Sequence, residues 1–140
     1  MKRPILKLVP VMLGLLILPC MGGWRDSLRK MVALEKPPRV ESTLKDGKIV
    51  VTVTNLMSEP LTYSGESPKY PQVMIEEFQD GKWTSERWSS CGGHAQQYSI
   101  APGQSVDLRL NVWMKGNPTK IYSIFSSGSQ QALVLLYEKK

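Results

Sequence analysis

Beyond residue 40 the chain alternates between hydrophobic and polar positions, as strands with one buried face do. In residues 105–113 every second residue is aliphatic, at Val106, Leu108, Leu110 and Val112. Residues 48–55 repeat this pattern, with Ile49, Val51 and Val53 alternating with Val50, Thr52 and Thr54. Each segment therefore predicts a strand that turns one face towards a core.

Short turn sequences separate these strands. Asp46-Gly47 and Asp80-Gly81 each stand between two β-prone segments, which is a strong sign of a two-residue hairpin. Residues 101–104, Ala-Pro-Gly-Gln, predict a further turn, because proline presets one central position and glycine permits the next. Residues 61–71, rich in aromatic residues and proline, and residues 88–94, rich in glycine, predict longer loops.

Together these signals predict an all-β domain of two packed antiparallel sheets over residues 40–140. Seven to eight short strands are expected, with turns every ~8–12 residues. A parallel α/β fold is excluded, because no segment is long enough for the crossover helices that it needs. Residues 132–138 are apolar at nearly every position and predict a strand covered on both sides.

The first 22 residues are typical of an export signal. Lys2, Arg3 and Lys7 flank the start of an apolar run of eleven residues, 8–18, and Pro19 follows it before a small-residue stretch. A membrane-spanning helix needs ~20 apolar residues, so the run is short for a span. A processed signal is therefore favoured, and a retained membrane anchor is the alternative.

The end of this signal, Ile17-Leu18-Pro19-Cys20, resembles the bacterial lipobox, in which the cysteine becomes diacylated. Pro19 departs from the small residue that the motif has before its cysteine. The resemblance implies lipidation of Cys20, and two or more acyl chains would hold the protein stably on a membrane. Cleavage before Gly23 would instead give a soluble periplasmic or secreted protein.

Residues 23–39 form a predicted tether between the signal and the domain. Apolar residues about one helical turn apart predict a short amphipathic helix, at Trp24, Leu28, Met31 and Val32. Pro37-Pro38 ends the helix. So short a helix is marginal in isolation, and it therefore packs on the domain, lies on the membrane or frays.

The net charge of +6 is concentrated near the N-terminus. Eight of the 18 basic residues and two of the 12 acidic ones lie in residues 1–40, and the remaining ten of each sign cancel in residues 41–140. A phosphate-binding face needs clustered lysine and arginine. No nucleic-acid partner is therefore expected, whereas basic residues beside a lipid anchor would lie near headgroups.

Three segments carry a resemblance to known domains: residues 55–61 after a strand, residues 80–83 in mid-chain, and residues 100–105 before an alternating strand. They resemble the immunoglobulin-like modules of bacterial extracytoplasmic proteins. They are also similar to the domain of the bacterial intracellular proteinase inhibitor group. The resemblance implies an immunoglobulin-like antiparallel β-sandwich of seven to eight strands, and it specifies fold better than function.

Reactive side chains are concentrated between residues 87 and 94. Cys91 and His94 could supply two metal ligands, but a structural zinc site needs four and a catalytic one three, and the chain has no other histidine. No metal or cofactor is therefore expected. Cys91 as nucleophile with His94 as base would need a third, orienting group, which the sequence does not reveal. A retained, unlipidated Cys20 would permit a disulfide with Cys91.

Loops at the end of a sandwich can form one contact surface. The candidate binding residues are Tyr63, Tyr70, Trp88, Cys91 and His94. The sequence thus predicts a non-enzymatic protein of the cell envelope, held on the membrane by lipid or by its N-terminus, that binds another envelope protein. The alternative is a proteinase inhibitor that presents residues 61–71, and a third hypothesis is an enzyme that uses Cys91 and His94.

Overall fold

The computed structural model describes residues 32–88, 95–112, 114 and 116–140, with the backbone alone for residues 85–88. All regular elements within these ranges are β-strands, and all strand pairings are antiparallel. The predicted all-β class is confirmed. The predicted export signal, including Cys20, lies outside the described residues.

Ten strands follow one another along the described chain: β1 (Arg39–Lys45), β2 (Lys48–Thr54), β3 (Leu61–Ser67), β4 (Tyr70–Pro71), β5 (Met74–Gln79), β6 (Lys82–Trp88), β7 (Gln96–Ile100), β8 (Ser105–Leu110), β9 (Thr119–Ser127) and β10 (Gln130–Lys139). This exceeds the seven to eight strands predicted. The difference arises because two long strands of the second sheet are interrupted, and each is therefore counted as two or more strands.

Three strands form the first sheet, in the order β1-β2-β8. The alternation predicted for two of them is confirmed, because Ile49, Val51 and Val53 of β2 and Leu108 and Leu110 of β8 are buried. Paired residues of β2 and β8 bring these side chains together on one face, as Val51 opposite Leu108 does. That face is one wall of the core.

Seven strands form the second sheet, with β9 at its centre. Along one edge β9 pairs with β10 over its full length. Along the other edge it pairs with β5 through residues 119–122 and with β3 through Phe125 and Ser126. Because a strand has only two edges, β3 and β5 lie end to end in one line. By the same reasoning β7 and β6, which pair with them, lie end to end in the next line.

The structure places residues 61–67 in strand β3, where the sequence predicted a loop. Leu61 and Tyr63 point into the core, and both are buried. The prediction was wrong because glycine, proline and polar residues dominate the segment, so its two inward side chains do not stand out as a period-two pattern. Only residues 68–69 remain as a connection, between β3 and the two-residue strand β4.

The predicted turns are confirmed by their backbone angles. Asp46 and Gly47 have φ of 51° and 70°, and Asp80 and Gly81 have φ of 51° and 77°, as a type I′ hairpin requires at both central residues. In the turn at residues 101–104, Gly103 has φ of 73°, and the last amide donates a 3.0 Å hydrogen bond to the first carbonyl. Such a turn needs glycine at its third position.

The two sheets share one hydrophobic core. Its buried members come from both sheets and from the segment before β1: Leu34, Ile49, Val51, Val53, Leu61, Tyr63, Val73, Ile75, Ile100, Leu108, Leu110, Ile121, Phe125 and Leu136. Phe125 of the central strand is fully buried, and its ring centroid lies 5.8 Å from that of Tyr63. The arrangement is sandwich-like, with one apolar layer between two antiparallel sheets.

Asn55 joins the ends of the two sheets. Its side-chain amide donates to the carbonyl oxygens of Glu59 (2.8 Å) and Ile100 (2.9 Å). Its side-chain carbonyl accepts a 2.9 Å hydrogen bond from the amide of Met57, and its backbone exchanges two 2.9 Å bonds with residues 103–104. Asn55 is fully buried, so this polar group is compatible with the core only because its hydrogen bonds are made.

Residues 32–35 form a strap along the free edge of β10. Val32 makes a parallel bridge with Gln130, and its carbonyl accepts a 2.8 Å hydrogen bond from the amide of Gln131. Leu34 is buried in the core. The predicted helix over residues 24–36 is therefore wrong for residues 32–36, which are not helical, because core burial and edge pairing override a weak helical spacing. Residues 24–31 lie outside the described chain.

Candidate interaction surface

The predicted binding residues occupy different environments. Tyr63 is 3% exposed and lies in the core, whereas Tyr70 is 40% exposed. Trp88 is the last residue of β6, of which only the backbone is described there. Cys91 and His94 lie outside the described residues, so the hypothesis of a thiol-dependent enzyme stays a prediction.

In the second sheet, the break between β3 and β5 lies beside the break between β6 and β7. Gly65 of β3 pairs with Gln96 of β7, and Met74 of β5 pairs with Trp88 of β6. These two pairs bracket residues 66–73 on one line and residues 89–95 on its neighbour. The strand ends that flank residues 66–73 therefore lie next to those that flank residues 89–95. Both segments carry candidate binding residues.

The connection between β3 and β4 is fixed by hydrogen bonds. The hydroxyl of Tyr63 donates a 2.6 Å hydrogen bond to the carbonyl oxygen of Pro68. The carbonyl oxygen of Lys69 accepts a 2.7 Å hydrogen bond from the amide of Arg109, which belongs to β8 of the other sheet. Residues 67–70 therefore connect the two sheets at one side of the sandwich. The carbonyl groups of Pro68 and Lys69 both accept hydrogen bonds within the domain.

Gly65 permits this connection to turn back on itself. A Cβ atom at this position would overlap the carbonyl oxygen of Tyr70 and would lie 3.0 Å from the carbonyl oxygen of Ser67. These atoms are backbone and cannot rotate away. The approach of β4 to β3 therefore needs a residue without a side chain here.

Burial raises the pKa of the Tyr63 hydroxyl above its usual value, and the neighbouring Tyr98 raises it further. The ring centroids of the two tyrosines are 5.8 Å apart. A raised pKa keeps the hydroxyl protonated, so it remains a hydrogen-bond donor to Pro68. Tyr63 thus acts within the fold, and the prediction that it contacts a partner is not tested by this geometry.

The outer face of the second sheet was not predicted from the sequence. Its members are Met74, Phe78, Trp83, Tyr122, Ile124, Leu133 and Leu135. Directly paired residues share one face of a sheet, so the pairs Leu133–Ile124, Leu135–Tyr122, Met74–Tyr122 and Phe78–Trp83 place these side chains together. Leu135 is 39% exposed and Phe78 is 36% exposed. Met74 is fully buried, and the other four members of the face are partly exposed.

This outer face also carries a few polar contacts. The hydroxyl of Tyr122 donates a 3.2 Å hydrogen bond to the carboxylate of Glu76, which is buried to 8% exposure. The Nζ atom of Lys120 lies 4.3 Å from the ring centroid of Trp83, and that ring meets Phe78 edge-on at 5.4 Å. The aromatic end of the face is thus ordered by contacts among its own side chains.

The signal that could have revealed this face is the run at residues 132–137. It is apolar on both faces, a pattern that predicts a strand covered on both sides. In the structure Leu136 is the one buried residue of β10, at a bulge in its pairing with β9. A second apolar face indicates either burial or an open contact surface, and sequence alone does not separate them.

Within the described ranges, no three side chains of histidine, cysteine, aspartate or glutamate are grouped so that they could hold a metal ion. The same part of the chain contains no helix with the length and hydrophobicity to cross a membrane. Each buried polar side-chain atom in it has a hydrogen-bond partner. Comparison of the chain with family models, with curated proteins and with solved structures gives no match.

Proposed function

We propose that this chain is an exported, membrane-anchored protein whose immunoglobulin-like domain binds another protein of the cell envelope and performs no catalysis. The observation that carries the proposal is the outer face of the second sheet, an apolar and aromatic surface that the shared core does not use. Contiguous apolar surface of this kind is typical of interaction sites.

The strand topology supports an immunoglobulin-like domain. Counting β3–β5 and β6–β7 each as one interrupted strand gives seven strands in chain order. Strands one, two and five form one sheet, and strands four, three, six and seven form the other, in that spatial order. An immunoglobulin sandwich places its strands A, B and E in one sheet and C, F and G in the other. The fourth strand lies beside C.

The N-terminal sequence supports membrane anchoring. The lipobox-like Ile17-Leu18-Pro19-Cys20 follows an apolar run, and the basic excess of the chain lies on either side of it. Basic residues next to an acylated cysteine would add attraction to anionic lipid, at about 1 kcal/mol per charge near the surface. Retention of the uncleaved segment would anchor the same domain without lipid.

Metabolic labelling with a fatty-acid analogue tests the anchor. We expect label in the wild-type protein and in Cys91→Ala, and none in Cys20→Ala. Unlabelled wild-type protein whose mature mass begins at Gly23 would show a secreted protein and reject lipidation. An intact, unlabelled chain would show a retained anchor.

Photo-crosslinking in cell envelopes tests the binding surface. A crosslinking amino acid at Phe78 is expected to capture one defined envelope protein, whereas the same group at Thr43, on the outer face of the first sheet, is expected to capture none. Capture from both positions or from neither would contradict the proposal.

The geometry does not favour a proteinase inhibitor acting through residues 61–71. An inhibitory loop has to present an extended backbone to an enzyme, but residues 61–67 are a strand inside the sheet. The carbonyl groups of Pro68 and Lys69 already accept hydrogen bonds within the domain. A panel of proteases, assayed with and without the protein, tests this alternative directly.

A further inference from the structure

Strand β1 forms an open edge of the first sheet. Among the described strands it pairs only with β2, over all of residues 39–45 and without a shift in register. It contains no proline, glycine or bulge, which are common devices that stop a free edge from pairing. Its residues are exposed except for the half-buried Val40. The edge is therefore accessible to a further strand.

The backbone groups of β1 that point to this open edge belong to Val40, Ser42 and Leu44. The two-residue hairpin closes on the pair Lys45–Lys48, whose backbones exchange hydrogen bonds. Going back from this pair, alternate residues bond to β2, and the residues between them turn their N–H and C=O groups outward. A further strand would pair with these three residues.

Two side chains at the hairpin end of β1 have unfavourable surroundings. Leu44 lies opposite the buried Ile49, and so on the inner face of the sheet, but it is 55% exposed. Lys45 lies directly opposite Lys48, where like charges repel. A neighbouring strand that covers the leucine and brings a carboxylate to Lys45 would relieve both.

A second copy of β1 has the residues that meet these requirements. In an antiparallel pair of two β1 strands, the register that places Thr43 opposite its own counterpart places Glu41 opposite Lys45 at both ends. One neighbouring register brings Arg39 against Lys45, and the next brings Glu41 against Glu41, which are like-charge pairs. Sliding the strands the other way leaves only residues 43–45 paired. The charges therefore favour a single register.

We infer that β1 is a dimerisation edge, through which two copies of this chain pair in antiparallel register about Thr43. The two three-stranded sheets then join into one sheet of six strands. Such a two-fold contact uses the same edge in both copies and closes on itself, so it gives a dimer. The outer face of the second sheet takes no part in this contact, and the inference does not depend on the proposed function.

Reversal of single charges tests the pairing in the full-length chain. Sedimentation in detergent, with a reductant present to exclude disulfide-linked species, should show a wild-type dimer that dissociates on dilution. Glu41→Lys and Lys45→Glu should each weaken the dimer about tenfold or more, because each creates two like-charge pairs. An equimolar mixture of these two variants should dimerise again, since the mixed pair has opposite charges at both positions. Glu66→Lys, at an exposed position of β3, is the matched control and should dimerise like the wild type.

Cysteine substitution tests the register. Thr43→Cys should give a disulfide-linked dimer under mild oxidation, because directly opposed residues without backbone hydrogen bonds have Cα atoms ~4.5 Å apart, within disulfide range. Glu41→Cys is the control on the same strand, since its counterpart would lie about 13 Å away along the strand. The wild-type chain gives the background from Cys20 and Cys91.

Four results would overturn the inference. The wild-type chain could remain monomeric at every concentration, or its dimer could survive both charge reversals. The mixed variants could fail to associate, or the cysteines at positions 41 and 43 could give equal yields of linked dimer. None of these results bears on the proposed envelope partner, because a photo-crosslinker at Thr43 would join two copies of this chain, whereas one at Phe78 would capture a different protein.

Discussion

The three-stranded sheet turns a polar outer face to solvent, whereas the seven-stranded sheet presents aliphatic and aromatic side chains. On the first, Thr52 donates a 2.7 Å hydrogen bond to Asp107, and the hydroxyls of Thr54 and Ser105 are 2.8 Å apart. On the second, the corresponding positions of β9 and β10 carry Tyr122, Ile124, Leu133 and Leu135. The inner faces of both sheets contribute to the shared core, and that of β9 also carries the buried Thr119, Ser123 and Ser127.

An antiparallel sheet needs only one apolar face to fold against a partner. The first sheet follows this rule, and its outer face needs no further explanation. The second sheet departs from it, so its outer apolar residues are not accounted for by the shared core. The difference shows which surface of the domain to test for binding. Four substitutions test the contacts on which this description of the two sheets depends.

The largest effect is expected where the two sheets are joined. Asn55→Ala removes three side-chain hydrogen bonds and leaves buried backbone groups without partners, at a cost of about 3 kcal/mol or more in the free energy of unfolding. Urea unfolding followed by circular dichroism and by tryptophan fluorescence measures it. Both signals should shift together, because the sheets share one core.

Asn111→Ala is the control for this substitution, since Asn111 is exposed, and it should change stability by less than ~0.5 kcal/mol. If Asn55→Ala separated the two transitions, the sheets would be independent units and the shared core would be the wrong description.

The second-largest loss of stability is expected in strand β3 of the second sheet. Gly65→Ala places a Cβ atom against backbone carbonyls of residues 67 and 70, and we expect a loss of about 1–3 kcal/mol. Gly116→Ala is the matched control, because no atom lies within 4 Å of the added Cβ. Equal urea midpoints for the two variants would show that the close approach of β4 is not needed.

A pH-dependent effect is expected at Tyr63. Burial raises the pKa of its hydroxyl, so its contribution to stability is complete below pH 10.0 and is lost as the pH rises through the pKa of the folded state. Tyr63→Phe should cost about 1 kcal/mol at neutral pH, because Pro68 loses its donor. The same variant should lose less stability than the wild type above pH 10.0.

Urea unfolding at neutral pH and at a series of values above pH 10.0 measures both parts. Tyr70→Phe, which alters an exposed ring, serves as the control. An alkaline loss of the same size in the wild type and in both variants would contradict the role of Tyr63.

The smallest effect is expected at the aromatic end of the outer face. Lys120→Gln removes the cation over the Trp83 ring and should lower the free energy of unfolding by about 0.5–1 kcal/mol. Lys82→Gln, at an exposed position, should have no measurable effect. If both variants unfold at the wild-type urea concentration, the contact adds nothing to the order of this face.

The strands with strict alternation of hydrophobic and polar residues, and the hairpins with Asp-Gly turns, were predictable from the sequence. Strand β8 and the hairpin at Asp46-Gly47 follow from residue types that few other structures accommodate. Strand β3 could not be predicted, because Gly65 and the polar residues around it carry no hydrophobic signal. Its place in the sheet is set by pairing with β9 and β7, which are distant in sequence.

The candidate surface was less predictable than the fold. The sequence proposed both Tyr70 and Tyr63 as binding residues of one loop, whereas the structure leaves Tyr70 40% exposed in β4 and buries Tyr63 in β3. Leu133 and Leu135 were assigned to a covered strand, since apolar residues on both faces do not show whether anything lies over them. Recognising the outer face requires the register of β9 against β10.

The strap also fixes the end of the domain at which the N-terminal chain enters. Val32 lies beside the first residue of β10, and β10 runs ten residues to Lys139, at the level of Thr119 and Glu77. That is about 30 Å of travel. The hairpin tip at Asp80-Gly81, next to Phe78, therefore lies at the end of the domain opposite the point where the N-terminal chain enters it.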